Sequence, residues 1–374
     1  MLKAIRNAEE SVKYLHVHPE NSFEEYLTTE HIIEKCSEAD VELMETDIET
    51  GVVAFLNVNS DTTVALRADI DAVPTDDGPR HLCGHDYHTA SLLGAMDYLS
   101  RHRDELNNNV LFVFQPAEEC TSGAEYMLDS GITEYLEDAK AIFGIHNRPE
   151  DPVGRIVVHE GYLMAEKSSF TIKIHGKTGH GGEPHKCVDP MVAAAAFISG
   201  ANTIVARNVD PNEAAVCSVL SVSCGTPDNF VPEDAVLTGS IRSFLPDVHV
   251  KIKNRIEELV KGIMSAFNCT YEIYWDMHVP SVNNRSELYK LAYKAALNVV
   301  DEECIIDTLP ALGSDDFAVF GRVVPGFYYW VGSGRYDGKS APWHKKEFKV
   351  EDGYLDIAVK LLVESAMMDV SELC

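Results

Sequence analysis

Apolar residues recur at helical spacing from Ile5 to Leu15 and from Tyr26 to Ile33. Residues 1–40 therefore read as helix, interrupted by a loop at Val17-His18-Pro19-Glu20-Asn21. Val52–Val58 and Thr63–Leu66 are strand-like, and the second runs into Arg67-Ala68-Asp69-Ile70-Asp71. Thr89–Leu99 reads as a helix. Val110–Phe114 is a continuous apolar strand that stops at Gln115-Pro116, and Ala141–Ile145 is another that ends at His146. Strand, polar loop and helix repeat, which is the layout of an α/β layered domain. Chemistry in such domains collects beyond the carboxyl ends of the strands. Asp69, Asp71, Glu118, Glu119 and His146 all lie at or just past such an end.

The texture changes near residue 165. Ser169–His175 alternates as a half-buried strand, and Met191–Ile204 is an alanine-rich helix. Ala215–Val222 and Ala235–Phe244 read as strands, Val250–Met264 as an amphipathic helix, and Thr270–Trp275 as a closing strand. That order fits a small α+β sandwich with an antiparallel sheet. From about Pro280 the α/β texture returns, with helix Glu287–Val300, strand Gly326–Val331 and helix Tyr354–Met368. The expectation is a discontinuous first domain, 1–165 and 279–374, with a second, 166–278, inserted into it. No internal repeat or low-complexity segment is evident.

The 374-residue length agrees with two domains. A formal net charge of -29 repels phosphate backbones and anionic lipid surfaces, so nucleic-acid and membrane partners are disfavoured. The first ten residues carry no apolar signal core and no later run is long enough for a bilayer, so a cytoplasmic location is expected. Nine cysteines without a framework pattern read as reduced thiols.

Three stretches carry candidate chemistry: Cys83-Gly84-His85-Asp86-Tyr87-His88, Gln115-Pro116-Ala117-Glu118-Glu119 and Gly144-Ile145-His146. No second Cys-x-x-Cys pair closes a structural cage, so a mixed Cys, His and Glu set suits an open, catalytic metal site. Thiolate and imidazole favour zinc, cobalt, nickel or manganese over magnesium or calcium. Adjacent Glu118 and Glu119 point to different sides, so one can bind a metal while the other works as a base. The same pair could equally cap a helix over Gly123–Leu128. Asp69 and Asp71 face one way, and Asp71 could orient a ligand histidine from behind. Taken alone, His146 and His344 are each as readily ordinary core or surface histidines.

The motifs together resemble the M20 metallopeptidase family, in its amidohydrolase branch of aminoacylases, hippurate hydrolases, auxin-conjugate hydrolases and N-acetyldiaminopimelate deacetylases. The resemblance rests on Arg67-Ala-Asp-Ile-Asp-Ala-Val-Pro74, Cys83-Gly-His-Asp-Tyr-His88, Gln115-Pro-Ala-Glu-Glu119, Gly144-Ile-His146 and Gly176-Lys-Thr-Gly-His180. It runs from His18-Pro-Glu-Asn-Ser-Phe-Glu-Glu25 through Asp228-Asn-Phe-Val-Pro232, Gly239-Ser-Ile-Arg242 and Asp315-Asp-Phe317 to Trp343-His344. It implies a zinc-peptidase-like layered catalytic domain with an inserted α+β lid domain that also dimerises. It implies two divalent metal ions (Zn, Mn, Co or Ni) on Cys83, His85, Glu119, His146 and His344. Glu118 matches the general base, with Asp71 beside it among the catalytic residues. His180 is similar to the lid histidine that stabilises the oxyanion, often across a homodimer. Asn229 and Arg242 match substrate-contacting positions. The implied activity is hydrolysis of the amide bond of a small-molecule N-acyl amino acid. A dipeptidase on this fold and a non-catalytic binding protein with a vestigial metal site are the alternatives.

The chain departs from the family pattern in four places. The Pro74–Cys83 loop is short, and Cys120 follows the paired glutamates where glycine is usual. Ser314-Asp315-Asp316 replaces a more common Glu-Asp pair. His344 is followed by Lys345 without the usual proline.

Overall fold

The computed structural model describes every residue except Thr121, Pro227 and Cys374. In chain order, α1 (Leu2–His16) and α2 (Tyr26–Glu38) precede β1 (Glu42–Leu43), β2 (Val52–Leu56) and β3 (Thr63–Asp69). Then come α3 (His85–Arg101), β4 (Asn109–Gln115), α4 (Gly123–Met127), α5 (Thr133–Glu137), β5 (Ala139–Pro152), β6 (Ile156–Val157) and β7 (Gly161–Met164). The chain continues through β8 (Glu166–His175), β9 (Gly179–His180), α6 (Pro190–Asn208), β10 (Ala215–Cys224), β11 (Phe230–Val231), β12 (Asp234–Ser243), α7 (Pro246–Ala266) and β13 (Thr270–Val279). It closes with β14 (Val282–Asn284), α8 (Ser286–Leu297), β15 (Ile305–Ile306), α9 (Phe317–Phe320), β16 (Gly326–Gly334) and α10 (Tyr354–Met367).

Two compact units result. The first comprises Met1–Leu163, Val282–Leu309 and Asp315–Cys374, and the second Met164–Ser281 with Pro310–Ser314. The first unit is built on an eight-stranded sheet of order β1-β2-β4-β3-β5-β16-β6-β15. Its centre, β4-β3-β5-β16, is parallel. All seven residues of β3 and of β4 are buried. This explains why β4 reads as a continuous apolar run rather than an alternating one. Helices α1 and α10 pack on α3, and α8 packs on α10. Each fully buried core phenylalanine, such as Phe112, contributes roughly 1.5–3 kcal/mol of transfer free energy.

The second unit is a four-stranded antiparallel sheet of order β10-β12-β8-β13, with α6 and α7 against one face. Alternate residues Phe170, Ile172 and Ile174 of β8 join Phe197 and Ala201 of α6 and Ile252, Ile256 and Val260 of α7 in its core. Among the described residues, no helix is long and apolar enough to cross a membrane.

Some boundaries differ from the sequence expectation. The helix expected at Thr89 begins at His85, because its first turn carries His85, Asp86 and His88, which mask the apolar period. Strand β5 extends past His146 to Pro152, through residues that resist a strand reading.

Candidate metal centre

Parallel register brings the strand ends level. Asp69 pairs with Gln115, and Arg67 pairs with Gly144, so His146 stands two residues further on, abreast of Asp69. Gly84, at φ +90°, makes the turn between Cys83 and His85. A Cβ there would collide with the Asn147 side-chain amide, so this position requires glycine. Past β4, Ala117 takes a left-handed φ of +57°, and its N–H donates to Oε1 of the buried Glu25 at 2.8 Å. His344 also has a left-handed φ, +62°. Its N–H donates to Leu82 O at 2.8 Å, and Trp343 Nε1 donates to Asn147 Oδ1 at 3.1 Å. Ala117 and His344, two of the non-glycine residues with this unusual backbone, therefore flank or carry a donor. The short Pro74–Cys83 loop is held by a reciprocal pair of bonds between Val73 and Arg80, 2.9 and 3.0 Å.

The donors converge. Cys83 Sγ is 3.5 Å from His146 Nε2, and His344 Nε2 is 3.6 Å from Glu119 Oε1. His85 Nε2 is 3.8 Å from Glu119 Oε1 and 3.9 Å from Glu118 Oε2. Donor atoms of Cys83, His85 and His146 lie within 4.8 Å of one another, and so do those of Cys83, Glu119 and His344. Cys83 belongs to both sets.

Behind them, Asp71 Oδ1 lies 3.2 Å from His85 Nδ1, which fixes the ring with Nε2 facing the other donors. Asp71 Oδ2 accepts from Ser22 Oγ at 2.7 Å and from the Glu119 N–H at 3.0 Å. One carboxylate thus positions two donors. Asp69 Oδ1 bonds His88 Nδ1 at 2.7 Å, and His88 Nε2 accepts from the Asn147 N–H at 2.9 Å. Arg67 is fully buried. It donates to Gln115 Oε1 at 2.8 Å, Asp69 Oδ2 at 2.9 Å and Asp316 Oδ1 at 3.2 Å, and lies 3.2 Å from Asp315 Oδ1. Tyr328 Oη donates to Asp315 Oδ2 at 2.5 Å.

Burial raises the proton affinity of the acids here. The Glu118 carboxyl is held well above its ordinary value by burial and then by Asp315 and Glu119. Glu119 rises to about 7 for the same first reason. Burial and Glu119 push the Cys83 thiol up, while burial pushes His146 down, favouring its neutral form. Buried His85 Nε2 and Glu119 Oε1 have no hydrogen-bond partner. Leaving such groups unpaired is costly, and a divalent cation would satisfy them while favouring thiolate, carboxylate and neutral imidazole. The donor set fits a metal centre.

The other sequence candidates lie in the second unit. His180 sits on β9, with Asn229 Nδ2 3.5 Å from its Nε2. Arg242, near the end of β12, donates from Nη1 to Leu312 O at 2.6 Å. Sequence reasoning counted Asp69 among the catalytic candidates but gave no role to His88 or Asn147, or to the Arg67 hub. The signals were present: His88 lies one helical turn after His85, and a charged residue interrupts an apolar strand at 67. Asp315 proves to be a partner of Arg67 and Tyr328.

The family model of Peptidase family M20/M25/M40 matches residues 65–367. An N-acetylcysteine deacetylase of Bacillus subtilis (strain 168) is 36% identical over 367 residues, covering 95% of this chain and 94% of that protein. An N-acetyldiaminopimelate deacetylase of Priestia megaterium is 35% identical, covering 94% and 95%. Among solved structures, a dinuclear metal-binding peptidase of the M20 family from Bacillus subtilis superposes with a TM-score of 0.84 at 32% identity, covering 99% of each chain. With a family match across most of its length and donors gathered at the strand ends, the chain belongs to peptidase family M20/M25/M40 and is a hydrolase of amide C–N bonds.

Proposed function

We propose that this protein deacylates N-acyl amino acids at a centre of two divalent cations. Cys83, His85, Glu119, His146 and His344 would hold the ions: donor atoms of Cys83, His85 and His146 form one group and those of Cys83, Glu119 and His344 another. The thiolate favours zinc, cobalt, nickel or manganese. When bound, such ions supply Lewis acidity, polarising a carbonyl and lowering the pKa of water. Glu118 takes the proton of the attacking water on its carboxylate and returns it to the leaving amine nitrogen. Burial, with Asp315 and Glu119 near, raises its affinity for a proton, which suits a group that must accept one. Asp71 holds His85 and the Glu119 backbone in register throughout. The second unit acts as the lid: His180 donates to the carbonyl oxygen as charge develops there, Asn229 contacts substrate, and Arg242 grips its carboxylate.

The observation that carries this reading is the pair of donor triads sharing Cys83, with Glu118 beside them on His85. The similarity to two deacetylases supports the N-acyl class. Replacing Glu118 with Ala keeps the metal and abolishes hydrolysis of N-acetyl amino acids. Retained turnover would overturn the role of Glu118. A second reading, cleavage of peptides, draws on a 32% identical protein of Saccharolobus solfataricus named a thermostable carboxypeptidase. A panel of N-acetyl and N-benzoyl amino acids and free dipeptides, with Mn, Co and Zn supplied in turn, separates the two.

The proposal includes a homodimer through the second unit. Strand β10 is an edge of its sheet and exposes Leu220 and Val222, as a strand awaiting a partner would. Sedimentation velocity of the full chain and of Leu220→Lys tests it: a monomer in both cases rejects the dimer. Buried thiols at Cys36 and Cys269 suit a reducing compartment such as the cytoplasm.

A further inference from the structure

A second donor cluster lies wholly within the second unit. Glu166 opens β8, His249 is on the first turn of α7, and His278 is near the end of β13. Their ligand atoms lie within 4.8 Å of one another. His278 Nε2 is 2.8 Å from Glu166 Oε1, and His249 Nε2 is 3.8 Å from the same oxygen. Tetrahedral zinc with bonds of about 2.0–2.2 Å puts neighbouring donors roughly 3.3 Å apart, between these two separations.

The backbone is shaped to bring His278 into this group. The register of β13 against β8 slips by one residue between Asp276 and His278, so that His278 stands opposite Ser168. Without the slip Met277 would hold that place, and His278 would face the other side of the sheet. Met277 makes the bulge with a φ of +47°, a strained value for a side chain of its kind. The bulge thus turns an imidazole towards Glu166 and α7.

The chemistry of each donor agrees. Glu166 is a buried carboxylate with 8% side-chain exposure, and His249 has 4%. Ser243 Oγ lies 3.2 Å from His249 Nδ1, and with that nitrogen donating, Nε2 carries the lone pair, which Ser168 Oγ meets at 2.9 Å with Glu166 Oε1 3.8 Å away. The one cation on the same helix face, Lys253, has its Nζ over the Trp275 ring, 4.8 Å from the centroid. His278 is 54% exposed and gives ions a way in from solvent.

We propose that Glu166, His249 and His278 form a further zinc-type divalent-metal site, of two imidazoles and one carboxylate, that clasps β8, α7 and β13. Two His and one Glu is an established zinc donor set. The site serves the second unit itself: its ligands lie within three residues of where the chain enters that unit at Met164 and leaves it at Ser281, or on the helix between.

The test uses the full chain crystallised with zinc chloride. An anomalous difference peak at the zinc edge, about 2.0–2.2 Å from Glu166 and both imidazole nitrogens, is expected. Its absence there, with zinc present in the crystal, overturns the site. In solution, the double variant Cys83→Ala/His85→Ala removes donors of the first cluster. It should still carry one equivalent of zinc through desalting, and that equivalent should vanish on adding His278→Gln. A double variant that holds no zinc, or zinc that survives His278→Gln, rejects the proposal. His278→Gln alone should leave hydrolysis and the far-UV spectrum unchanged while losing one equivalent of zinc and the zinc-induced rise in Tm. These readouts do not depend on the reaction assigned to the first cluster.

Discussion

The two donor clusters of this chain, one in each unit, share an alphabet of imidazole and carboxylate but differ in how far their atoms are satisfied. The first adds a thiol and leaves His85 Nε2 and Glu119 Oε1 buried without partners. It also holds Glu118, Glu119 and Cys83 in positions where burial disfavours their charged forms. In the second cluster Glu166 is paired with His278, and both nitrogens of His249 meet serine hydroxyls. Unsatisfied buried polarity marks a site built for cations and chemistry. The second cluster is satisfied without an ion, so the ion proposed for it would serve support rather than chemistry.

The sharpest way to break this contrast is at Glu118. Glu118→Gln should lower kcat by about 10²–10⁴-fold while metal content by mass spectrometry stays at the wild-type level. An equal loss of metal would make Glu118 a ligand rather than a base. Next in size is the hub behind the centre. Arg67→Met leaves Asp69, Asp315 and Asp316 buried without their cation, and should cost about 3–5 kcal/mol in urea unfolding, with incomplete folding at 37 °C. A smaller loss would show that water or protons replace the guanidinium.

A weaker effect is expected one layer out. Asp71→Asn should reduce metal affinity about 10–100-fold in chelator competition, because it loosens both His85 and the Glu119 backbone. His278→Gln should leave that affinity unchanged. Equal effects from both substitutions would erase the distinction between the clusters.

The smallest expected effect is a control away from both. Burial first, then Lys35, lowers the His31 pKa below 6.5 in the folded chain. Its folded pKa is depressed, so its contribution is complete above about pH 6.5 and is lost as pH falls towards the folded value. Denaturant midpoints measured between pH 7.5 and 5 should fall less steeply in His31→Gln than in the parent.

The parallel strands were legible because β4 is an unbroken apolar run and β3 ends in aspartates. The donors were legible because His146 follows directly on such a run, Glu119 lies five residues past another, and Cys83 stands next but one to His85. The hub was not. A lone arginine inside a strand gives no sign that Asp315 and Asp316, nearly 250 residues later, will fold against it. Nor was the bulge at Met277 legible, since Asp276-Met277-His278 carries neither the glycine nor the proline that commonly mark an irregular strand. The start of α3 was obscured for a different reason: its first turn is given to His85 and His88 rather than to apolar packing.

The hydrogen bond from His344 to Leu82 has a consequence during synthesis. While the ribosome is still making the chain, Cys83, His85, Glu119 and His146 can assemble from the segments already released, yet the second triad lacks its last donor until residue 344 emerges. With the proposed ligands, a nascent chain therefore cannot close the full set, and hydrolytic competence waits on the emergence of residue 344.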